Sequence, residues 1–189
     1  MKYYKVLGPN RTPYHGGEGA WPEPGTPLSV EGPIEMCKRG LHLCREGDLV
    51  EWLGPEIWEV EVPEGTETIV GNDKVCVRTA VLVRKIETWN ERTARLFAAD
   101  CAERVLPIFE ARYPDDDRPR KAIETARKYA RGEATNEELI AAGAADAADA
   151  AAYAAAAAAV ARTVAYAARA VERKWQTARL WQYLNGEVK

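Results

Sequence analysis

Along the chain the spacing of apolar residues changes once, near Thr88, from every second residue to every third or fourth. Before that point the pattern predicts strands. KYYKVL, residues 2–7, reads as an opening strand that Gly8-Pro9 breaks, and residues 8–27 are too rich in glycine and proline for either regular element. A second strand is expected over Gly40–Cys44, then a short helix over Asp48–Leu53 that Gly54-Pro55 ends. In EIWEVEV, residues 56–62, Trp58, Val60 and Val62 alternate with Glu59 and Glu61, which marks a half-buried strand. After a turn at Pro63-Glu64-Gly65, Thr66–Val70 pairs back, and Val75–Ile86 is predicted to be the longest strand. One of its faces offers Val75, Val77, Thr79, Val81 and Val83, the other Cys76, Arg78, Ala80, Leu82 and Arg84, a sheet packed mainly on one side.

After Thr88 the pattern predicts helices. Thr88 with Glu91 forms a capping box that opens a helix over Asn90–Arg112, with Leu96, Phe97, Cys101, Val105, Ile108 and Phe109 as its apolar positions and a kink at Pro107. Asp115, Asp116 and Asp117 stand just before the next helix, residues 119–131, where exposed N–H groups favour negative charge; capping suits them better than metal binding. Gly132 stops that helix, and Thr135 with Glu138 opens the last one, which runs towards Leu184 with Gly143 as its weak point and Asn185-Gly186 as its end. Its stretch Ala141–Ala170 is dominated by alanine, the best helix former. The bare face lets a neighbouring backbone approach closely, so Ala155 and Ala157 are expected at a helix–helix contact, within the chain or with a second copy in a homo-oligomer. Asp146, Asp149, Arg162 and Arg169 interrupt the run and argue against a membrane span. The fold class is therefore α+β: a small N-terminal mixed sheet domain over residues 1–88, then an alanine-rich helical domain over 89–189.

Composition narrows the function classes. The net charge of -3 argues against a protein that works mainly by coating nucleic acid. Residues 1–88 carry 10 basic and 14 acidic side chains and residues 89–189 carry 16 and 15, so neither part is strongly basic. Four cysteines form no dense disulfide framework and MKYYKVLG has no apolar signal core, which points to the cytoplasm.

Candidate chemistry is sparse. The Gly- and Pro-rich loop carries Tyr14, His15 and Trp21, which either plug the open end of a small core or form a recognition surface. Cys37, His42, Cys44 and Cys76 are the residues that would hold a zinc ion, but their spacing is not that of a standard knuckle, and no metal or cofactor is expected. A Cys–His nucleophilic pair lacks a third orienting group, and no phosphate loop or paired-carboxylate motif appears. The basic end of the long helix, including Arg169 and Arg173, either suits the helix dipole or meets an acidic partner.

Three resemblances accompany these readings. Residues 34–87, through Cys37, Gly40, His42, Cys44, Glu61, Asp73 and Lys74, resemble an uncharacterised domain common in phage and prophage genomes, which implies a phage or mobile-element origin. Residues 95–132 and the alanine-rich helix after them resemble immunity proteins of bacterial toxin loci. That likeness implies a non-catalytic protein that neutralises a partner, as an immunity or anti-defence accessory. The order of Gly-x-His, short helix and Val-Glu-Val strand is similar to the middle of ADP-ribosyltransferase folds. This implies instead an NAD-binding domain with His15 or His42 at the nicotinamide ribose and Glu87 as the catalytic acid. The expected partner is thus a protein or a small nucleotide-derived ligand of the host, with no membrane involved.

Overall fold

The computed structural model of the chain describes residues 2–142 and 166–188, with side chains in the last stretch described from Ala170. Gly143, Asp146, Asp149, Ala155, Ala157 and Arg162, with the contact face expected there, lie outside the described residues, as does the side chain of Arg169. The chain forms two compact units, residues 1–87 and 88–189. Antiparallel strands fill the first and helices the second, an α+β fold.

In the first unit seven strands, β1 (Tyr3–Leu7), β2 (Pro27–Ser29), β3 (Leu41–Leu43), β4 (Glu56–Glu61), β5 (Thr68–Val70), β6 (Val75–Val77) and β7 (Thr79–Lys85), build two sheets. One has the order β1-β4-β7-β2 and the other β3-β6-β5, with every pairing antiparallel. Between Asp48 and Trp52 the chain makes a single 3-10 turn, Leu49–Glu51, in place of the expected helix. Leu7, Trp58, Val60, Ala80 and Leu82 of the first sheet share one core with Leu41, Leu43, Val75 and Val77 of the second and with Trp21 from the loop.

The expected long strand over Val75–Ile86 is two strands in different sheets. The chain changes sheet at Arg78, where the backbone N–H bonds Glu67 O and the guanidinium bonds the Val30 and Gly32 carbonyls and the Glu67 carboxylate. Such corners are where two packed sheets are joined. Beyond the corner the buried face is that of Ala80 and Leu82, whereas Val83 is 47% exposed, the reverse of the face expected to be apolar. Register adds a bulge: Val60 faces Leu82 and Glu59 faces Arg84, which leaves Val83 as the extra residue on β7. Alternation in β4 is also broken, because Ile57 and Trp58 are both buried. Ile57 accepts the Ile86 N–H through its carbonyl, which carries the β4–β7 ladder one pair further.

In the second unit the described helices are α1 (Glu91–Arg112), α2 (Arg118–Ala130), α3 (Asn136–Ala141) and α4 (Tyr166–Leu184). The cap of α1 is Asn90, in a capping box with Thr93, and not Thr88 with Glu91. Thr88 instead donates its hydroxyl to the Leu184 carbonyl at the end of α4, and Arg92 donates to the Ala130 carbonyl at the end of α2. The residues entering α1 thus satisfy carbonyls that two other helix ends leave open. α1 passes through Pro107 as one helix; burial falls on Leu106, and Ile108, expected on the apolar stripe, is 73% exposed. Asp116 accepts the Arg118 backbone N–H at the start of α2. The Thr135–Glu138 capping box opens α3, and Gly132 and Gly186 take positive φ just past the ends of α2 and α4. Trp89, Phe97 and Tyr183 meet edge to face in the core with Leu106, Leu139, Leu180 and Leu184. Among the described residues no helix is long and apolar enough to cross a membrane.

Candidate functional site

The loop after β1 is ordered by its own backbone. Gly8 N–H bonds Thr12 O, Leu7 bridges Pro13, and Trp21 N–H bonds Arg11 O while Arg11 Nε donates to Trp21 O. The loop therefore doubles back and drives the Trp21 indole into the core, where it is 4% exposed. Gly16, Gly17 and Gly19, all at positive φ, form a wall with little side-chain bulk. Between this wall and β3 lies a cleft of about 610 Å³.

His15, Trp21 and His42 all line it, as do Cys37 and Cys44. His15 Nε2 is 2.8 Å from the Trp52 carbonyl, which makes it the donor there, and the imidazole meets Trp52 edge to face. Tyr14 is outside the lining: it stands edge-on to His15, 51% exposed, against Gly54, where any Cβ would lie 2.6 Å from its ring. Arg173 belongs to α4 in the other unit. Cys76 is buried away from the cleft, its Sγ donating to Arg39 O.

His42 holds the turn that leads into its own strand. Its Nε2 accepts the Cys37 N–H at 2.9 Å and fixes Cys37 at φ +64, a region costly for a side chain other than glycine. Gly40 stands at φ +141, and a Cβ there would lie 2.2 Å from Cys76 Sγ. The Gly-x-His-x-Cys pattern thus serves the fold, and one of the two imidazole nitrogens is engaged by an amide. Burial, then the nearby Lys5 and Lys74 ammonium groups, pushes the His42 pKa below its ordinary 6.5, so the ring is neutral at pH 7. Burial pushes the Cys44 thiol up to about 12. All four cysteines are free thiols, and among the described residues no group of His, Cys, Asp and Glu could hold a metal ion.

Sequence reasoning did not single out Lys5, Trp52 or Lys74 as site residues, yet all three line the cleft. Lys5 shares its face of β1 with the core residue Leu7, and a charge on an inward face was the available signal. Its ammonium donates to the His42 carbonyl at 3.0 Å and lies 5.6 Å from the Trp21 ring centre. Lys74 lies 4.3 Å over the Trp52 ring, in a turn that Arg45 clamps through the Gly71 and Asn72 carbonyls and Trp52 clamps through Asp73 O. Asp48 in turn fixes Arg45. Glu18 is the one carboxylate of the lining, against Lys5, Lys38 and Lys74; Glu87 is not part of it.

In the helical unit the most connected polar group is Asp100 on α1. It accepts from Arg127 of α2 at 2.7 Å and from Arg179 and the Tyr183 hydroxyl of α4 at 2.8 and 2.6 Å. Arg127 also grips Glu103, and Arg104 pairs with Glu172 while lying over Trp175. These groups bind helices to one another. A hollow of about 560 Å³ between the end of α1 and the start of α2 has its charges paired as well, Asp116 with Arg118 and Lys121 with Asp117.

Neither a curated protein nor a solved structure matches the chain. A family model does: the Imm-5 like putative immunity protein, over residues 84–183. The match takes in α1, α2, α3 and nearly all of α4, and does not reach residues 1–83. It spans more than half of the sequence, and the chain belongs to the Imm-5 like putative immunity protein family.

Proposed function

We propose that the protein is an immunity-type binding protein of phage or mobile-element origin, which sequesters or masks a toxic or defensive partner protein in the cytoplasm and performs no chemistry on it. The observation that carries this reading is the family match over residues 84–183, which falls on the helical unit. In that unit the charged groups on facing helices pair with one another, which suits a rigid body that presents a surface. Ile108, Ile140 and Val171 are exposed there, apolar side chains of the kind that contribute to protein contacts.

The test is protection. Cells that express the toxic product of a neighbouring gene should survive when the full chain is co-expressed, and the two proteins should copurify in fixed proportion. Death at equal expression, with no complex recovered, would overturn the proposal. The transferase alternative is separated by labelled NAD: the chain should transfer no label to lysate proteins. Transfer that His42→Ala or Glu87→Ala abolishes would replace binding by catalysis.

A further inference from the structure

We propose that the cleft of the N-terminal unit is a binding site for a small phosphate-bearing ring compound of mononucleotide size, its anionic group drawn to Lys5 and Lys74 and its ring set against the apolar wall. This does not rest on the immunity reading, which concerns the other unit.

The charge of the lining points to an anion. A buried or half-buried ammonium is costly unless it is paired. Lys5 has a backbone carbonyl as partner, and among the described residues no carboxylate lies within ion-pair distance of it. Lys74, its side chain 18% exposed, reaches Asp73 only at 3.9 Å and otherwise faces an indole ring. Lys38, by contrast, is paired with Glu35 at 2.6 Å. Neither ammonium has a close carboxylate partner, and both depress the His42 pKa, so each projects positive potential to the same ring in the cleft. An anion there would offset a cost that the folded chain already carries.

Shape and wall composition narrow the ligand further. The volume falls within the roughly 300–1,000 Å³ of small-molecule sites. Leu28, Val30 and Leu41 give an apolar side, while Gly16 and Gly19 have open space where a side chain would stand. A bare inorganic anion would use the lysines and leave that side unfilled. The Lys74 turn is fixed by Arg45 from outside the cleft and by Trp52 from its lining, so one of the two cations stands on a turn held in place before any ligand arrives, which limits the ordering cost of binding.

Calorimetric titration of the full chain with AMP, GMP, CMP and UMP, and with inorganic phosphate, tests this. At least one nucleotide should bind saturably at one site and more tightly than phosphate, and Lys74→Met should weaken it by about tenfold or more. Lys5→Met should do the same if its thermal melt shows it folded; if it is unfolded, Lys74→Met at the cleft edge decides. Absence of binding by all four nucleotides at millimolar concentration overturns the proposal, and so does unchanged affinity in folded Lys74→Met. Phosphate binding as tightly as the best nucleotide overturns the assignment of the apolar wall to a ring.

Discussion

Gly40 is held by two constraints at once, a positive φ and the Cys76 sulfur where its Cβ would be. Gly40→Ala is therefore expected to destabilise the N-terminal unit by about 1–3 kcal/mol, read by chemical denaturation. A melt unchanged from the parent would show that the turn relaxes freely. The thiols divide in the same way by environment. Cys37 is exposed, while Cys44, Cys76 and Cys101 are buried with their thiol pKa values raised by that burial, Cys44 and Cys101 to about 12. An alkylating reagent at pH 7 should modify Cys37 alone in the native protein and all four after unfolding. Rapid native labelling of Cys101 would contradict the packing of α1. The Gly-x-His-x-Cys spacing was legible in the sequence, but its meaning was not. Ligand-type residues advertise chemistry, and only the backbone geometry revealed that the imidazole is taken by the Cys37 amide, four residues before β3 begins.

Helix ends and strand breaks show how local signals compete. Thr135–Glu138 was readable because both partners of the box are in sequence reach, and Thr135→Ala should cost about 1 kcal/mol in a thermal or denaturant melt. At α1 two boxes overlapped, Thr88 with Glu91 and Asn90 with Thr93; the second won because the Thr88 hydroxyl is committed to the carbonyl of Leu184, 96 residues away. Such a contact has no signature in a short window. The same limit hid the corner at Arg78, since a run with β-branched residues at every second position looks like one strand until Glu67, Val30 and Gly32 are brought to it. Asp100 makes the strongest prediction at this scale. Asp100→Ala removes the shared acceptor of three groups on two helices and should destabilise the helical unit by about 3 kcal/mol, with loss of cooperativity in the helical circular dichroism melt. A loss below about 1 kcal/mol would mean that Glu103 and Gln182 take over Arg127 and Arg179.

For the molecule as a whole, alkaline pH should be the destabilising direction. Cys44 and Cys101 rise from an ordinary 9.0 to about 12, and Tyr4 rises from 10.0 to about 12, in each case mainly because burial disfavours the anion. Folded-state values above the unfolded ones mean that the stabilisation is complete below about pH 9 and is lost as pH climbs towards 12. Both units carry such groups, so melting temperatures of both should fall over that window; a flat profile would show that these side chains are reached by water. The α+β division was legible because the period of the apolar pattern changes within a few residues. The cleft was legible only in part. Its aromatic and imidazole lining stood out in a glycine-rich loop, whereas Lys5 and Lys74 come from a strand and a turn far apart in the chain and meet only through the folding of two sheets.

Val83, the residue without a counterpart on β4, bears on how the sequence length can vary over evolution. Removing it would set Arg84 directly after Leu82, opposite Glu59, where Arg84 already pairs. A one-residue gap among relatives is therefore expected at this point of β7, with the pairing of Arg84 and Lys85 to β4 left in register.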